Sequence, residues 1–403
     1  MLKSNFYLFV LSSLLVIACG SRQELSDSKS SSPLLGLSIN NTASFERIDE
    51  PISLKRADIE EVLGNLPSGE TLLVQDENEV VIPSQIDDID MDGNWDELAF
   101  VVSLSPQESK RLIITLTTLT DNHAHKNRTN IRFAHNRAGE NDYTVLEKEV
   151  RPVDHSKQNN TGKYQMEGPA WENDIVAFRL YFDSRNGKDI FGKKTSEMVL
   201  DSVGIVGNYH ELQDWGMDIL KVNNSLGAGA IAMYEDNQLY RLTGCDTIIY
   251  KKIFEGPIRS RLRLSYSNWN VNDHNYGFKE EITIWAGQSW YESQLTLSGF
   301  EGETELVTGI VNIYSDSASF RNYQEKAISL STHAPQAFTG EYLGMGVLAK
   351  TQDFAEYGKA PDNGKGVTET DFIRLKAFPE KPVAFRFFAG WEFQDKGYAD
   401  YQY

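Results

Sequence analysis

Cysteine is almost missing from this chain: there are two, Cys19 and Cys245, in 403 residues. At most one disulfide is available, and none once Cys19 is used otherwise, so stability must come from an apolar core. Positive charge is also scarce, with 39 Lys and Arg against 58 Asp and Glu and a net charge of −19. No basic stripe interrupts that acidity, which excludes nucleic acid as a partner class. Beyond the first 20 residues no apolar run reaches membrane-spanning length, and helical periodicity is nearly absent. The chain also lacks G-x-S-x-G, H-E-x-x-H and a Gly-rich phosphate loop before a helix. Those absences weigh against serine hydrolases, zinc proteases and nucleotide enzymes.

What is present begins with an address. Lys3, an apolar run from Phe6 to Ala18 and the terminal Val16-Ile17-Ala18-Cys19 fit a bacterial lipobox. Residues 1–19 therefore read as a lipoprotein signal peptide with Cys19 as the lipidated position, and 20–36 as a Ser-rich flexible tether. The expected location is the bacterial outer membrane, facing the periplasm, with membrane contact through the lipid alone. Cys245, in an apolar-polar strand pattern, reads as a small buried residue.

With 40% apolar and 11% aromatic residues, the remainder can build a sizeable core. Period-2 alternation, as in Leu112–Thr117, Ile258–Tyr266 and Trp290–Leu297, predicts antiparallel strands throughout, so the fold class is mostly β. The expected division is a small β domain over 37–120, a polar junction over 121–161 and a larger β domain over 162–403.

Four patterns carry chemistry. Asp88, Asp90, Asp92 and Asp96 lie in a D-x-D-x-D-G-x-x-D loop whose alternate carboxylates suit a structural Ca²⁺, or else cap the turn's backbone N–H groups. Arg179, Arg185, Lys188, Lys193 and Lys194 gather positive charge in an acidic chain, and Arg179 sits mid-strand, where a solvated charge needs a reason. The segment from Tyr209 through His210, Asp214, Trp215 and Asp218 to Lys221 packs proton-transfer groups together, and His210 is its natural base. Trp269, His274 and Tyr276 form an aromatic-polar loop suited to stacking on a sugar ring.

The segments GPAWENDIVAFRLYFDSRNGKDIFGKK and YHELQDWGMDILKVNNSLGAGAI, together with VIPSQIDDIDMDGNWDELAF, resemble the lipoproteins of domain-of-unknown-function family 4861. That resemblance implies a place among proteins that dismantle uronic-acid polysaccharides such as ulvan and pectins. It implies an oligosaccharide dehydratase, which removes water from a non-reducing-end glucuronate or iduronate to leave a 4,5-unsaturated uronate. The later strands also look like those of the galactose-mutarotase-type super-sandwich. Set against this chemistry, Arg179 is expected to clamp the substrate carboxylate, with His210 as base and Tyr181 or Tyr209 as acid. Lys188, Lys221, Trp171, Trp215, Asp214, Trp269, His274 and Tyr276 are expected to bind an anionic oligosaccharide, with no cofactor needed for catalysis. The competing readings are a glycoside hydrolase using carboxylates among Glu172, Asp214, Asp218 and Glu392, and a non-catalytic glycan-binding lipoprotein.

Overall fold

The computed structural model describes residues 34–67, 69–118, 125–136, 142–151, 163–315, 318–364 and 366–399, and the backbone alone at 15–19 and 152. Most of the expected signal peptide and tether lies outside this set, and Cys19 is described only in its backbone. The chain divides into two units, 1–126 and 127–403. Among the described residues no helix is long and apolar enough to cross a membrane.

The first unit holds β1 (Leu15–Cys19), β2 (Leu34–Asn40), β3 (Arg47–Lys55), α1 (Arg56–Leu63), β4 (Glu70–Asp76), β5 (Val81–Ile82), β6 (Ser84–Asp87), β7 (Glu97–Leu104) and β8 (Ser109–Thr118). They form an antiparallel sheet in the order β1-β2-β8-β4-β5 and a second one, β3-β7-β6. Alternate residues of β2, such as Leu35, Leu37 and Ile39, point inward to meet Val74, Leu98, Phe100 and Ile114.

The second unit continues with β9 (Thr129–Arg132), β10 (Ala134–Asn136), β11 (Tyr143–Val145), β12 (Lys148–Pro152), β13 (Ala170–Asn173), β14 (Val176–Leu180), β15 (Lys188–Lys193), β16 (Gly216–Asp218), β17 (Ala228–Glu235), β18 (Gln238–Arg241), β19 (Thr247–Phe254) and β20 (Arg259–Val271). After these come β21 (His274–Trp285), β22 (Trp290–Ser298), β23 (Thr304–Val311), β24 (Phe320–Tyr323), β25 (Ala327–Ala334), β26 (Leu343–Lys350), β27 (Phe354–Lys359), β28 (Thr370–Ala377) and β29 (Val383–Trp391). A nine-stranded sheet, β12-β19-β20-β21-β22-β29-β26-β25-β24, meets two five-stranded sheets, β16-β15-β14-β13-β9 and β18-β17-β23-β28-β27. One apolar cluster joins all three, running through Phe178, Ile190, Leu264, Tyr291, Ile373 and Phe387. The fold is mostly β and antiparallel, as the alternation predicts.

Two features differ from what the sequence suggests. The expected junction, 121–161, contributes β9 and β12 to sheets of the second unit; these strands are short and polar on one face, so their periodicity is weak. The Trp269-to-Tyr276 segment is a tight hairpin rather than an open loop. Asn272 and Asp273 both take positive φ, 50° and 63°, the turn geometry that matches strand twist. Trp269 is thereby turned into the core, with its indole N–H donating to the Arg241 carbonyl at 3.1 Å, and Tyr276 is buried as well. Neither presents a stacking face, which corrects the expectation of sugar contact there. Cys245 is buried, as expected, and burial pushes its thiol up to about 12.

Candidate functional site

The sheet β16-β15-β14-β13-β9 sends alternate side chains to opposite faces. Trp171, Phe178, Leu180, Ile190 and Met217 enter the large apolar cluster. The register places Arg179 opposite Asp189 and Phe191 opposite Asp218, so these groups and Glu172 share the other face. Residues 194–215 fold back against that face: Val199, Leu200 and Val203 pack with Phe191 and Ala177, beside half-buried Tyr209 and Trp215. A Cβ at Gly216, whose φ is 134°, would lie 1.8 Å from the Gly192 carbonyl oxygen. Glycine is therefore required for β16 to pair closely enough to deliver Asp218.

Arg179 is wholly buried at the centre. Its Nη2 donates to Asp189 and to Tyr181 Oη (2.6 Å), and lies 3.3 Å from Asp218 Oδ2. Its Nη1 donates to the Met166 carbonyl at 3.1 Å and reaches Tyr209 Oη at 3.4 Å. Tyr181 in turn donates to Asp189 Oδ2 at 2.7 Å. Burial works against the Arg179 charge, but Asp189, Tyr181 and Asp218 outweigh it and hold its pKa well above the ordinary value. Burial and the neighbouring Asp218 carboxylate push Asp189 up to about 7, against the pull of Arg179. Burial also raises both phenols, Tyr181 and Tyr209.

His210 stands at the rim, its side chain 55% exposed, with Nδ1 3.4 Å from Asp218 Oδ2. The hydrogen bond to Asp218 raises its pKa above the usual imidazole value, against desolvation and the Arg179 charge. The Tyr209 and His210 rings lie 4.3 Å apart. Neighbours on a straight strand would face opposite ways, but this segment is a turn: Asn208 Oδ1 accepts from the His210 N–H, and the Tyr209 carbonyl accepts from the Asp218 N–H. The four residues expected to carry catalysis, Arg179, Tyr181, Tyr209 and His210, are thus brought together, along with Asp189, which the sequence reading passed over. Alternation in Lys188-Asp189-Ile190-Phe191 was the available signal, since it puts Asp189 on the face of Arg179.

Several assignments change. Arg179 offers no open fork to a substrate carboxylate, because it is buried and two carboxylates already hold it. Lys188 is buried between sheets, donating to Glu280 and to the Gly229 carbonyl, so it is a core ion pair and not a ligand for substrate. Trp171 is buried, stacked near Phe178 and edge-on to Tyr291. Glu172 is buried too, accepting from Lys193 and from the N–H groups of Val199 and Leu200, which removes it from any hydrolytic pair. Asp214 is exposed, Trp215 lies edge-on to Phe191, and Lys221 sits half-buried with Nζ 5.3 Å from the Tyr314 ring. His274 is exposed at its hairpin, bonded to the Gly299 carbonyl. Beside the cluster is the half-buried Arg185, whose guanidinium covers the Tyr181 ring at 3.8 Å and is paired with Asp183 and Glu167.

In the first unit, carboxylate oxygens of Asp88, Asp90 and Asp96 lie within 4.8 Å of one another, and Asp92 is outside that group. The same side chains cap the turn: Asp88 accepts from the N–H groups of Met91, Asp92 and Gly93, and Asp96 from that of Ile89.

A family model described as "Domain of unknown function (DUF4861)" matches residues 39–403. The chain is 24% identical over 286 residues to "Uncharacterized protein P7" of Formosa agariphila, covering 68% of this chain and 66% of that protein, just short of two thirds of its length. Among solved structures it is similar to an alpha-mannosidase from Enterococcus faecalis V583, at 10% identity and a TM-score of 0.40, covering 89% of this chain and 43% of that one. It is also similar to a Klebsiella pneumoniae protein described as a proposed aldose 1-epimerase, at 9% identity and a TM-score of 0.32, covering 67% and 93%.

Proposed function

The chain belongs to the DUF4861 family, and we propose that it is a uronyl oligosaccharide dehydratase whose proton-transfer group is His210. The observation that carries this reading is the exposed imidazole held through Nδ1 by a buried carboxylate, Asp218, which is itself tied to Arg179. An Nδ1–H donated to Asp218 leaves the Nε2 lone pair facing outward as a base.

Elimination across C4–C5 of a uronate needs a base for the C5 proton, an acid for the departing 4-hydroxyl and a cation beside the carboxylate. His210 Nε2 takes the C5 proton. The C4–O bond breaks as Tyr209 Oη protonates the leaving hydroxyl, and Arg179 at 3.4 Å supports the phenolate that forms. Arg185, held by Asp183 and Glu167 but with its side chain 40% exposed, supplies the cation beside the carboxylate from its open side. Arg179 acts as a positioning residue, fixing Asp218 and Tyr181, and Tyr181 closes the network through Asp189. Of the carboxylates a hydrolase could use, Glu172 and Asp218 are buried, which favours elimination over a hydrolytic pair. With the lipobox intact, the enzyme works from a lipid anchor in the outer membrane, facing the periplasm.

The test is turnover of a uronate-capped oligosaccharide, followed by the absorbance of the conjugated enoate product. His210→Ala should lose about 10²–10⁴-fold in kcat while keeping the fold. Near-normal turnover in that variant removes His210 from the mechanism.

A further inference from the structure

Away from the His210 cluster, the outer strands of two sheets in the second unit are joined through one tyrosine. β24 ends the nine-stranded sheet, and β27 ends the sheet β18-β17-β23-β28-β27. Tyr357 on β27 bridges them, its hydroxyl placed 2.8 Å from the Asn322 carbonyl and 3.2 Å from that of Ser329. Beside this bridge is a cavity of about 420 Å³, lined by Asn312, Ser315, Ser319, Arg321, Lys359 and Asp371. That volume falls within the range of small-ligand sites.

The lining is polar and mostly open to solvent, with Arg321 and Lys359 exposed. Here the floor is Asp371, 5% exposed and accepting from Asn312 Nδ2 at 3.1 Å. The walls carry two cations: Arg321, stacked 5.5 Å from the Tyr357 ring, and Lys359, whose exposed ammonium lies 3.4 Å from Asp362. All four residues of β24 are exposed; Tyr323, two positions beyond Arg321 and so on the same face, is 63% exposed with its ring 6.0 Å from Phe354.

We infer that this cleft binds an acidic sugar unit, a pyranose bearing a carboxylate or a sulfate. Arg321 and Lys359 would meet the acid group, and Asn312, Ser315 and Ser319 the ring hydroxyls. Asp371 can accept from a ring hydroxyl, while the acid group meets the two cations. The choice of a sugar rests on the dehydratase reading above; the cleft itself does not depend on the chemistry at His210.

The experiment is calorimetric titration of the full-length His210→Ala protein, which leaves the ligand unconsumed. The probes are methyl glucuronide, a sulfated methyl glycoside and a neutral methyl glycoside. The expected result is that Arg321→Ala and Lys359→Ala, both at exposed positions, each lose one binding event or bind an acidic sugar about tenfold or more weakly. Which acidic probe binds distinguishes carboxylate from sulfate. The inference is overturned if neither acidic sugar binds the parent, if both bind the variants unchanged, or if the neutral glycoside binds as tightly. Turnover by the wild-type chain reports on the dehydratase reading separately: turnover with no binding in the cleft sinks only this inference, and binding with no turnover sinks only that one.

Discussion

Replacing Asp218 by Asn keeps the shape of the site and removes one charge, so it isolates what that carboxylate does. Asp218 Oδ2 stands 3.4 Å from His210 Nδ1 and 3.3 Å from Arg179 Nη2. Two of the influences that raise the His210 pKa come from Asp218, its hydrogen bond and its charge; without them, desolvation and Arg179 both act to lower it. The imidazole should therefore titrate at lower pH in the variant, and Asp189, relieved of a neighbouring negative charge, should fall below about 7. A hydrogen bond to a charged group is worth about 1.5–3 kcal/mol. Because the His210 side chain is 55% exposed, solvent screening favours the lower end of that range, so kcat should drop about 10- to 30-fold. The assay pairs NMR titration of the His210 ring with the pH profile of turnover. An unchanged imidazole pKa together with an unchanged profile would refute the Asp218–His210 coupling.

Further consequences are read chiefly from stability. Lys188→Met strands Glu280 in the core and should cost about 3–5 kcal/mol in denaturant melts, whereas a loss below about 1 kcal/mol would mean that the pair is solvated. Gly216→Ala forces a Cβ into the Gly192 carbonyl, so it should lower both thermal stability and turnover; a native-like melt would contradict the close β15–β16 approach. Asp189, with a folded pKa raised to about 7, makes stability fall as pH rises from its unfolded value near 4 towards 7, and Asp189→Asn should flatten that part of the stability curve. His210 also has a raised pKa, so its contribution is fully present below about pH 6.5 and is lost as pH rises through the folded value; His210→Ala should remove that loss.

The strands were legible because a half-buried strand writes its burial into every second residue. Ala327–Ala334 alternates intermediate and buried positions along its whole length. Arg179 was legible for the same reason, a charge at an inward position of an apolar strand. Its partners were not, because strand register pairs it with Asp189, ten residues on, and the turn brings Asp218 from 39 residues away. Lys188 and Lys193 looked like a cationic surface, yet each is buried against a glutamate, 92 and 21 residues distant in sequence respectively. Composition around a lysine does not tell whether a distant carboxylate will neutralise it. The hairpin at Asn272-Asp273 was misread because polar residues between aromatics suggest a loop, whereas two positive-φ residues make a tight turn and send Trp269 inward.

The central claim is that water leaves a uronate at this site, and the product's mass tests it most directly. Full-length protein would be incubated with saturated glucuronyl-rhamnose oligosaccharides and followed by mass spectrometry and ultraviolet absorbance. The account predicts loss of one water with a rise in enoate absorbance, both abolished in His210→Ala. Cleavage into two smaller sugars without that absorbance, or an unchanged oligosaccharide, would contradict it.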